Sequence, residues 1–374
     1  MPPHNFEKMH RISTLHLRAY SICGMIIIEY KKGMTIMAGT IREIAEIAGV
    51  SRGTVDRALN RRGRINREVA ERIFQVAGEI GYVPKKQKQM AESTVKLGVV
   101  TQLCKKSFMV QIHKGIEDAR AELKKRNVEL VIEECMTVNE EEQLDALERL
   151  EQQEVDGIAI MPVEGERMRQ RLNMLSREGV RIVTFNTDII GTKRSCFVGL
   201  DNKKSGRTAA GLMNMLTGGQ GKILAITGYF GNSVNSMRVD GFVEEVKTSF
   251  PGLQLIGVQS SFDEEAEVER IVQSTLQSFP DLKGIVVFSG GQAGVWKTCQ
   301  NLKIEPRPFV IVYDLTVKNI QALKDNNVDF LIDQNGYTQG YRSLFALADL
   351  IQTEEEPVEE YLYTDIIIKT KYNL

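Results

Sequence analysis

The chain has 374 residues, 42% of them hydrophobic, and a formal net charge of −1 at pH 7. That length carries two or three domains with real cores, and the near-zero charge excludes a global basic field for nucleic acid. No run of 18 apolar residues occurs, which argues against a membrane-spanning helix. Five cysteines (Cys23, Cys104, Cys135, Cys196, Cys299) without a C-x-x-C pair point to a reducing, cytoplasmic setting and away from structural zinc.

Residues 1–37 show no clean period and read as a disordered N-terminal extension. Within them "AYSICGMIII", 19–28, mimics a signal-peptide core but lacks an A-x-A-like cleavage site and runs into "EYKKG". Met34 and Met37 stand just before the first helical pattern, so residues 1–33 read as a tail or as an over-long gene start.

Residues 38–84 read as three helices. "TIREIAEIAGVSRGTVDRALN", 40–60, places Ile41, Ile44, Ala45 and Ala48 on one helical face, ends that helix at Gly49, and restarts at Ser51 with Val55, Ala58 and Leu59 inward. A third helix follows Asn66, with Val69, Ile73, Val76, Ala77 and Ile80 as its stripe, and "GYVP" breaks it. Helix, short Gly-containing turn, helix is the signature of a helix-turn-helix. Residues 40–90 hold eleven Lys/Arg against six acids, a local net of +5 that leaves about −6 for the rest. A basic head on a mildly acidic body fits a regulated DNA binder. The second helix aims Arg52, Gly53 and Arg57 at base edges, where an arginine can bond guanine O6 and N7 together. Thr40, Ser51, Thr54 and Asn66, near helix N-termini, suit phosphate oxygens.

Residues 85–95, "KKQKQMAESTV", are polar and read as a hinge. From residue 96 to 374 short β-branched runs alternate with helical stretches: "KLGVV", "VELVIEE", "VDGIAIM", "VRIVTFN", "GKILAITG", "LQLIGVQ", "KGIVVFSG", "PFVIVYD" and "DFLIDQ". This alternation predicts βαβ units in parallel sheets, too long for one sheet and therefore two α/β lobes. A break is expected near "CFVGLDN", 196–202, with a helix from about Lys203. Ligand crevices in such sheets lie beyond the carboxyl ends of the strands.

The stretch 40–60, with "NREVAERIFQVAGEIGYVP" after it, resembles the headpiece of the LacI (lactose-repressor) family of bacterial transcription regulators. The body fits the family's periplasmic-binding-protein-like (type I) core more loosely. The resemblance therefore implies an all-α helix-turn-helix headpiece followed by an α/β core of two doubly wound parallel-sheet lobes. Two departures stand out. Asp56 replaces the family's usual Ser before the arginine, and could accept from a cytosine N4 or orient Arg57. The family's hinge motif, whose Leu wedges into the minor groove, is matched here only by "KQMA", with Met90 as the wedge.

For the core, resemblance to sugar-binding members implies Phe108 stacking on a sugar face, with Asn186, Asp188, Arg238, Asp314 and Gln334 as the polar ligands. Carboxylates and amides suit paired hydroxyls, and an aromatic ring covers the apolar face. Gly290 and Gly291 stand where many members have an Asn-Asp pair, and Phe262 offers a second aromatic wall. The resemblance implies a ligand-responsive repressor of carbohydrate-utilisation genes. It would bind a palindromic double-stranded operator and a sugar-like effector as a homodimer or tetramer, with no cofactor and no membrane. A sugar-binding receptor without a DNA role is the alternative. An enzyme reading has little to stand on. Three of four histidines (His4, His10, His16) lie in the tail, and only His113 is in the body. "TGGQGKI" fails a P-loop at both ends, Leu216 and Ile223. Neither a catalytic nor a metal-binding residue is expected.

Overall fold

The computed structural model describes residues 40–59, 65–82 and 94–374. The whole of the extension 1–37 and most of the hinge 85–95, with its Met90, lie outside the described residues. The chain divides into two units between Pro84 and Lys85.

The head holds α1 (Ile41–Ala48), α2 (Arg52–Leu59) and α3 (Arg67–Glu79). A capping box starts α1: Glu43 N–H donates to Thr40 Oγ1 at 3.3 Å, and Thr40 N–H donates to the Glu43 carboxylate at 2.7 Å. Gly49 ends α1 in the left-handed region (φ 65°), where a side chain is costly, and its N–H returns to Ala45 O. Ile44, Ala45, Ala48, Val55, Ala58, Ile73, Val76 and Ala77 form one small core. It is the apolar set that the helical periods select.

The second unit contains two sheets. The first has strand order β11-β5-β4-β3-β1-β2, built from β1 (Val95–Thr101), β2 (Val128–Glu134), β3 (Gly157–Ile160), β4 (Arg181–Phe185), β5 (Cys196–Leu200) and β11 (Tyr361–Thr364), every pair parallel. Its helices are α4 (Met109–Leu123), α5 (Glu140–Gln152), α6 (Glu166–Arg177) and α12 (Gly336–Thr353). The second has order β12-β10-β9-β8-β6-β7: β6 (Gly221–Thr227), β7 (Leu253–Ser260), β8 (Leu282–Val287), β9 (Phe309–Tyr313), β10 (Phe330–Asp333) and the antiparallel edge β12 (Ile367–Lys369). Its helices are α7 (Asn202–Thr217), α8 (Ser233–Ser249), α9 (Glu265–Ser278), α10 (Ala293–Asn301) and α11 (Val317–Lys324).

Both sheets are doubly wound. Leu97 and Val99 of β1 face α4 and α12, while Val100 faces α5 and α6. This two-sided burial is why the strands read as continuous apolar runs. The chain passes between lobes three times: after β5, after β10, and between β11 and β12. In each lobe one helix pair crosses at backbone contact. A Cβ on Gly206 of α7 would lie 2.0 Å from Arg238 O, and one on Gly241 of α8 would lie 2.0 Å from Lys203 O. That approach seats α8, and with it Arg238, against α7. The structure departs from the sequence expectation in small ways: α7 starts at Asn202, and β11 and β12 were not foreseen.

Candidate functional site

On the head, Arg52, Gly53 and Arg57 of α2 are all exposed. Arg57 Nε donates to Gly53 O at 3.1 Å, which ties the side chain back toward the first turn. Three of the four short polar residues expected at phosphates, Thr40, Ser51 and Asn66, cap helix starts. Thr40 accepts from Glu43 N–H, Asn66 from Glu68 N–H at 2.9 Å, and Ser51 from Thr54 N–H at 3.1 Å. Thr54 Oγ1 lies 2.9 Å from Ser51 Oγ. Each holds a helix N-terminus in place, where unpaired N–H groups and the helix dipole favour an anion.

In the second unit the carboxyl ends of strands from both lobes open onto a cavity of about 380 Å³. The first lobe contributes Gln102 after β1, Phe108 at the start of α4, and Asn186 and Thr187 after β4. The second contributes Asp263 after β7, Ser289 after β8, Asp314 after β9, Gln334 after β10, and Arg238 from the second turn of α8. Asn186 (φ 62°) and Asp314 (φ 73°) occupy the same place in their lobes, one residue past a strand and in the left-handed region. Asn and Asp tolerate this conformation better than most residues.

Arg238 is the centre of the site and is 2% exposed. Nε donates to Asn202 Oδ1 at 2.9 Å, Nη1 to Phe288 O at 2.8 Å and Nη2 to Gln334 Oε1 at 2.7 Å. The guanidinium carbon lies 4.5 Å from the centroid of the Tyr313 ring. Gln334 Nε2 in turn donates to Asp314 Oδ1. Burial pulls the Arg238 guanidinium down, and the neighbouring Tyr313 and Asp314 side chains oppose that pull. Burial pushes the Asp314 carboxyl up, against the attraction of Arg238 and the Gln334 bond. Burial likewise pushes the Tyr313 phenol up to about 12, so it stays a neutral partner for Ser205 Oγ at 3.1 Å.

A polar relay runs from this centre through the crossings. Asn186 Nδ2 donates to Gln339 Oε1 at 2.9 Å, and Gln339 Nε2 to Gln334 O at 2.8 Å. Thr364 Oγ1 donates to the same carbonyl at 3.1 Å. At the start of α8, Ser233 N–H donates to Glu164 Oε1 of the other lobe at 2.8 Å. Two buried cavity atoms, Gln102 Oε1 and Ser289 Oγ, have no protein partner. Buried polar atoms of this kind call for a ligand or water, because leaving them unmet is costly.

Five of the six expected effector residues, Phe108, Asn186, Arg238, Asp314 and Gln334, therefore line one cavity. Asp188 does not. Arg194 claims its carboxylate through Nε at 2.7 Å and Nη2 at 2.6 Å, and Thr184 Oγ1 donates to it at 2.7 Å. With the Arg194 side chain only 4% exposed, Asp188 is a half-buried structural partner beside the site. Phe262 stands outside the lining. Sequence reasoning missed Gln102, Ser289, Asn202 and the Glu164–Ser233 contact; the one available signal was position just past a strand. Among the described residues no group of three His, Cys, Asp or Glu could hold a metal ion, and no helix is long and apolar enough to cross a membrane.

Residues 40–85 match the bacterial regulatory proteins of the lacI family, and residues 97–355 match the periplasmic binding protein domain. The ribose operon repressor of Halalkalibacterium halodurans is 24% identical over 257 residues, 67% of this chain and 71% of that protein. The sucrose operon repressor of Streptococcus mutans is 26% identical over 241 residues, 64% of this chain and 71% of its own. Among solved structures, AraP, an arabinose binding protein from Geobacillus stearothermophilus, superposes with a TM-score of 0.68 at 24% identity, covering 75% of this chain and 98% of that one. That likeness gives the fold.

Proposed function

The chain belongs to the periplasmic binding protein domain family and carries a lacI-family DNA-binding head, and from that premise we propose how the regulator is worked. A small sugar or sugar derivative enters the cleft between the lobes and changes the affinity of the head for a pseudo-palindromic operator. The observation that carries this reading is the cavity itself. Strand ends of both lobes converge on it, an arginine is held by three hydrogen bonds at its centre, and two residues of its lining, Gln102 and Ser289, each carry a buried oxygen without a protein partner. Such a site matches hydroxyl groups, which both donate and accept. Names of relatives that carry a sugar operon support the same ligand class.

In this reading residues 38–84 are the DNA-binding head, 85–95 the hinge and 96–374 the effector and oligomerisation core. Arg52 and Arg57 read bases, and the capped helix starts at Thr40, Ser51 and Asn66 hold phosphates. Met90 wedges the minor groove. Phe108 covers a sugar face while Asn186, Arg238, Asp314 and Gln334 bond its hydroxyls. The protein works in the cytoplasm as a dimer or tetramer, because a two-fold operator calls for a two-fold protein. Its role in this reading is binding rather than catalysis, in keeping with relatives named as operon repressors.

The test is a thermal-shift titration of the full chain with pentoses, hexoses, polyols and their phosphates, followed by duplex binding with and without the hit. A ligand that raises the melting temperature in a concentration-dependent way and alters duplex affinity supports the reading. Duplex binding that ignores salt would remove the head from DNA, since phosphate contacts release counterions.

A further inference from the structure

The first sheet ends on β11, whose one neighbour in that sheet is β5. Tyr361 lies opposite Phe197, and Phe197 N–H donates to Glu360 O at 2.8 Å. Along a strand the amides point alternately to either side, so those of Tyr361 and Tyr363 point away from β5. The edge therefore presents their N–H and C=O groups in line, the template that an added strand uses. The last residue of β11, Thr364, turns the other way and bonds Gln334 O at 3.1 Å, which connects the edge to a crossing between the lobes.

The same two residues display their rings. Tyr361 is 38% exposed and Tyr363 47%. The rings stack with centroids 5.6 Å apart and planes inclined by 19°. The buried Phe197 ring meets both edge-on, at 6.2 and 6.5 Å. A Cβ on Gly199 would lie 2.2 Å from that ring, so glycine there gives Phe197 its place under the pair. The Arg194 guanidinium carbon lies 5.0 Å from the Tyr361 centroid, and its Nη1 donates to Glu360 Oε1 at 3.1 Å. A cation thus already rests on one ring of the pair. The surroundings are acidic. Residues 354–365 hold Glu354, Glu355, Glu356, Glu359, Glu360 and Asp365 and neither Lys nor Arg. Arg181 offsets Glu356, and Arg194 offsets Glu360. Burial first, and the Asp201 charge next, push the Tyr363 phenol up, so a further acid stands beside that ring.

We propose that β11 is a docking edge for an extended, arginine-bearing segment of a partner protein, which adds a strand to the first sheet and lays a guanidinium on Tyr363. The proposal stands apart from the cleft reading, because no residue of β11 lines the cavity. Charge selects the occupant. A second copy pairing β11 with β11 would set one acidic run against the other, and nucleic acid or an anionic membrane would be repelled in the same way. An arginine on Tyr363 would repeat the contact that Arg194 makes with Tyr361, and its planar fork suits the flanking carboxylates. In strand addition the main chain supplies affinity and alternate side chains supply specificity. Two outward amides with their rings on one face offer both.

The experiment uses the full chain and fluorescence anisotropy with a labelled peptide that alternates valine and arginine over about seven residues. Three control peptides accompany it: one with glutamate for arginine, one N-methylated at every valine and one at every arginine. The expected result is saturable binding of the arginine peptide. The glutamate peptide and at least one methylated peptide, the one whose blocked amides face β11, bind about tenfold more weakly or worse. Tyr363→Ala weakens the arginine peptide about fivefold, the scale of one cation–π contact. Glu359→Lys, outside the strand and exposed, weakens it at least as much with the melting temperature of the parent, so a loss there is not misfolding. The proposal is overturned if the arginine peptide does not bind, if both methylated peptides bind as well as it does, which would leave charge alone, or if its affinity survives both variants. Dissociation of the oligomer by Tyr363→Ala in sedimentation would assign the edge to a second copy and also overturn it.

Discussion

Replacing Arg238 by Met would test whether the site's centre is also a keystone of the second lobe. Methionine keeps an unbranched apolar stem beside Tyr313 and removes the guanidinium. Three acceptors lose their donor at once: Asn202 Oδ1, Phe288 O and Gln334 Oε1, held at 2.9, 2.8 and 2.7 Å. Bonds from a charged donor are worth about 1.5–3 kcal/mol each, so the simple sum is an upper bound. Against it stands the desolvation of a guanidinium that is 2% exposed, which the substitution recovers. Removing one member of a buried charged constellation costs about 3–5 kcal/mol on balance. A core of ordinary stability, roughly 5–15 kcal/mol, survives that loss but melts about 10 °C lower. The chain has one tryptophan, Trp296, on α10 of the same lobe, so its fluorescence in a urea titration reports the transition. Effector binding, read by titration on the folded variant, should fall by more than tenfold. An unfolding free energy from that titration within about 1 kcal/mol of the parent's would refute the keystone argument. Normal affinity for the effector would move the binding site elsewhere.

Arg57→Ala is expected to abolish the preference for operator over random duplex while leaving the Trp296 transition in place. An unchanged preference in competition binding would remove Arg57 from base readout. Because burial raises the Asp314 carboxyl, the folded core retains its proton where the unfolded chain has lost it. The associated stability is complete below the ordinary carboxylate value and is lost as pH rises through the raised one. Urea midpoints of the ligand-free protein between pH 4 and 7 should thus fall more steeply than those of Asp314→Asn; parallel curves would sink the assignment. Glu164→Gln removes the carboxylate that meets the start of α8 from across the cleft. It should weaken lobe closure by up to about 1 kcal/mol, the scale of a charge at a helix N-terminus, and widen the ligand-free core in small-angle scattering. An identical radius of gyration would show that the contact does not hold the lobes.

What could be read in advance was local. The head was legible because its signals fall within 21 contiguous residues, from the Thr40 cap to Asn60. The lobes were legible because strands buried on both faces are continuous β-branched runs. Five residues of the cavity lining were reachable because each sits just past a strand or near the start of a helix. Asp188 satisfied the same positional rule and failed, since Arg194, six residues on, folds back to take its carboxylate. No spacing rule announces that competition. Asn202 and Gln102 were invisible for the converse reason: their partners, or the lack of one, depend on elements far away in sequence. β11 and β12 are 4 and 3 residues long and pair with β5 and β10, so neither length nor period identified them.

The same long-range contacts indicate how the cleft could act at a distance. A ligand shifts a conformational equilibrium only by as much as it binds the two states unequally. Groups fixed wholly within one lobe would meet a ligand equally well in open and closed forms. Gln334 is not such a group. It follows β10 at a crossing, its side chain joins Arg238 to Asp314 in one lobe, and its carbonyl takes bonds from Gln339 and Thr364, which belong to elements of the other. A hydroxyl that bonds Arg238 or Asp314 competes directly with the Gln334 side chain. It thereby changes the restraint on the crossing to which that residue belongs. Asn202 does the same at the first crossing, through its bonds to Arg238 and Leu200 O. Two of the three crossings are thus tied to the residue at the centre of the cleft. Occupancy and lobe angle are then one equilibrium, and a coupling of about 1–3 kcal/mol needs no more than one or two of these bonds to be exchanged.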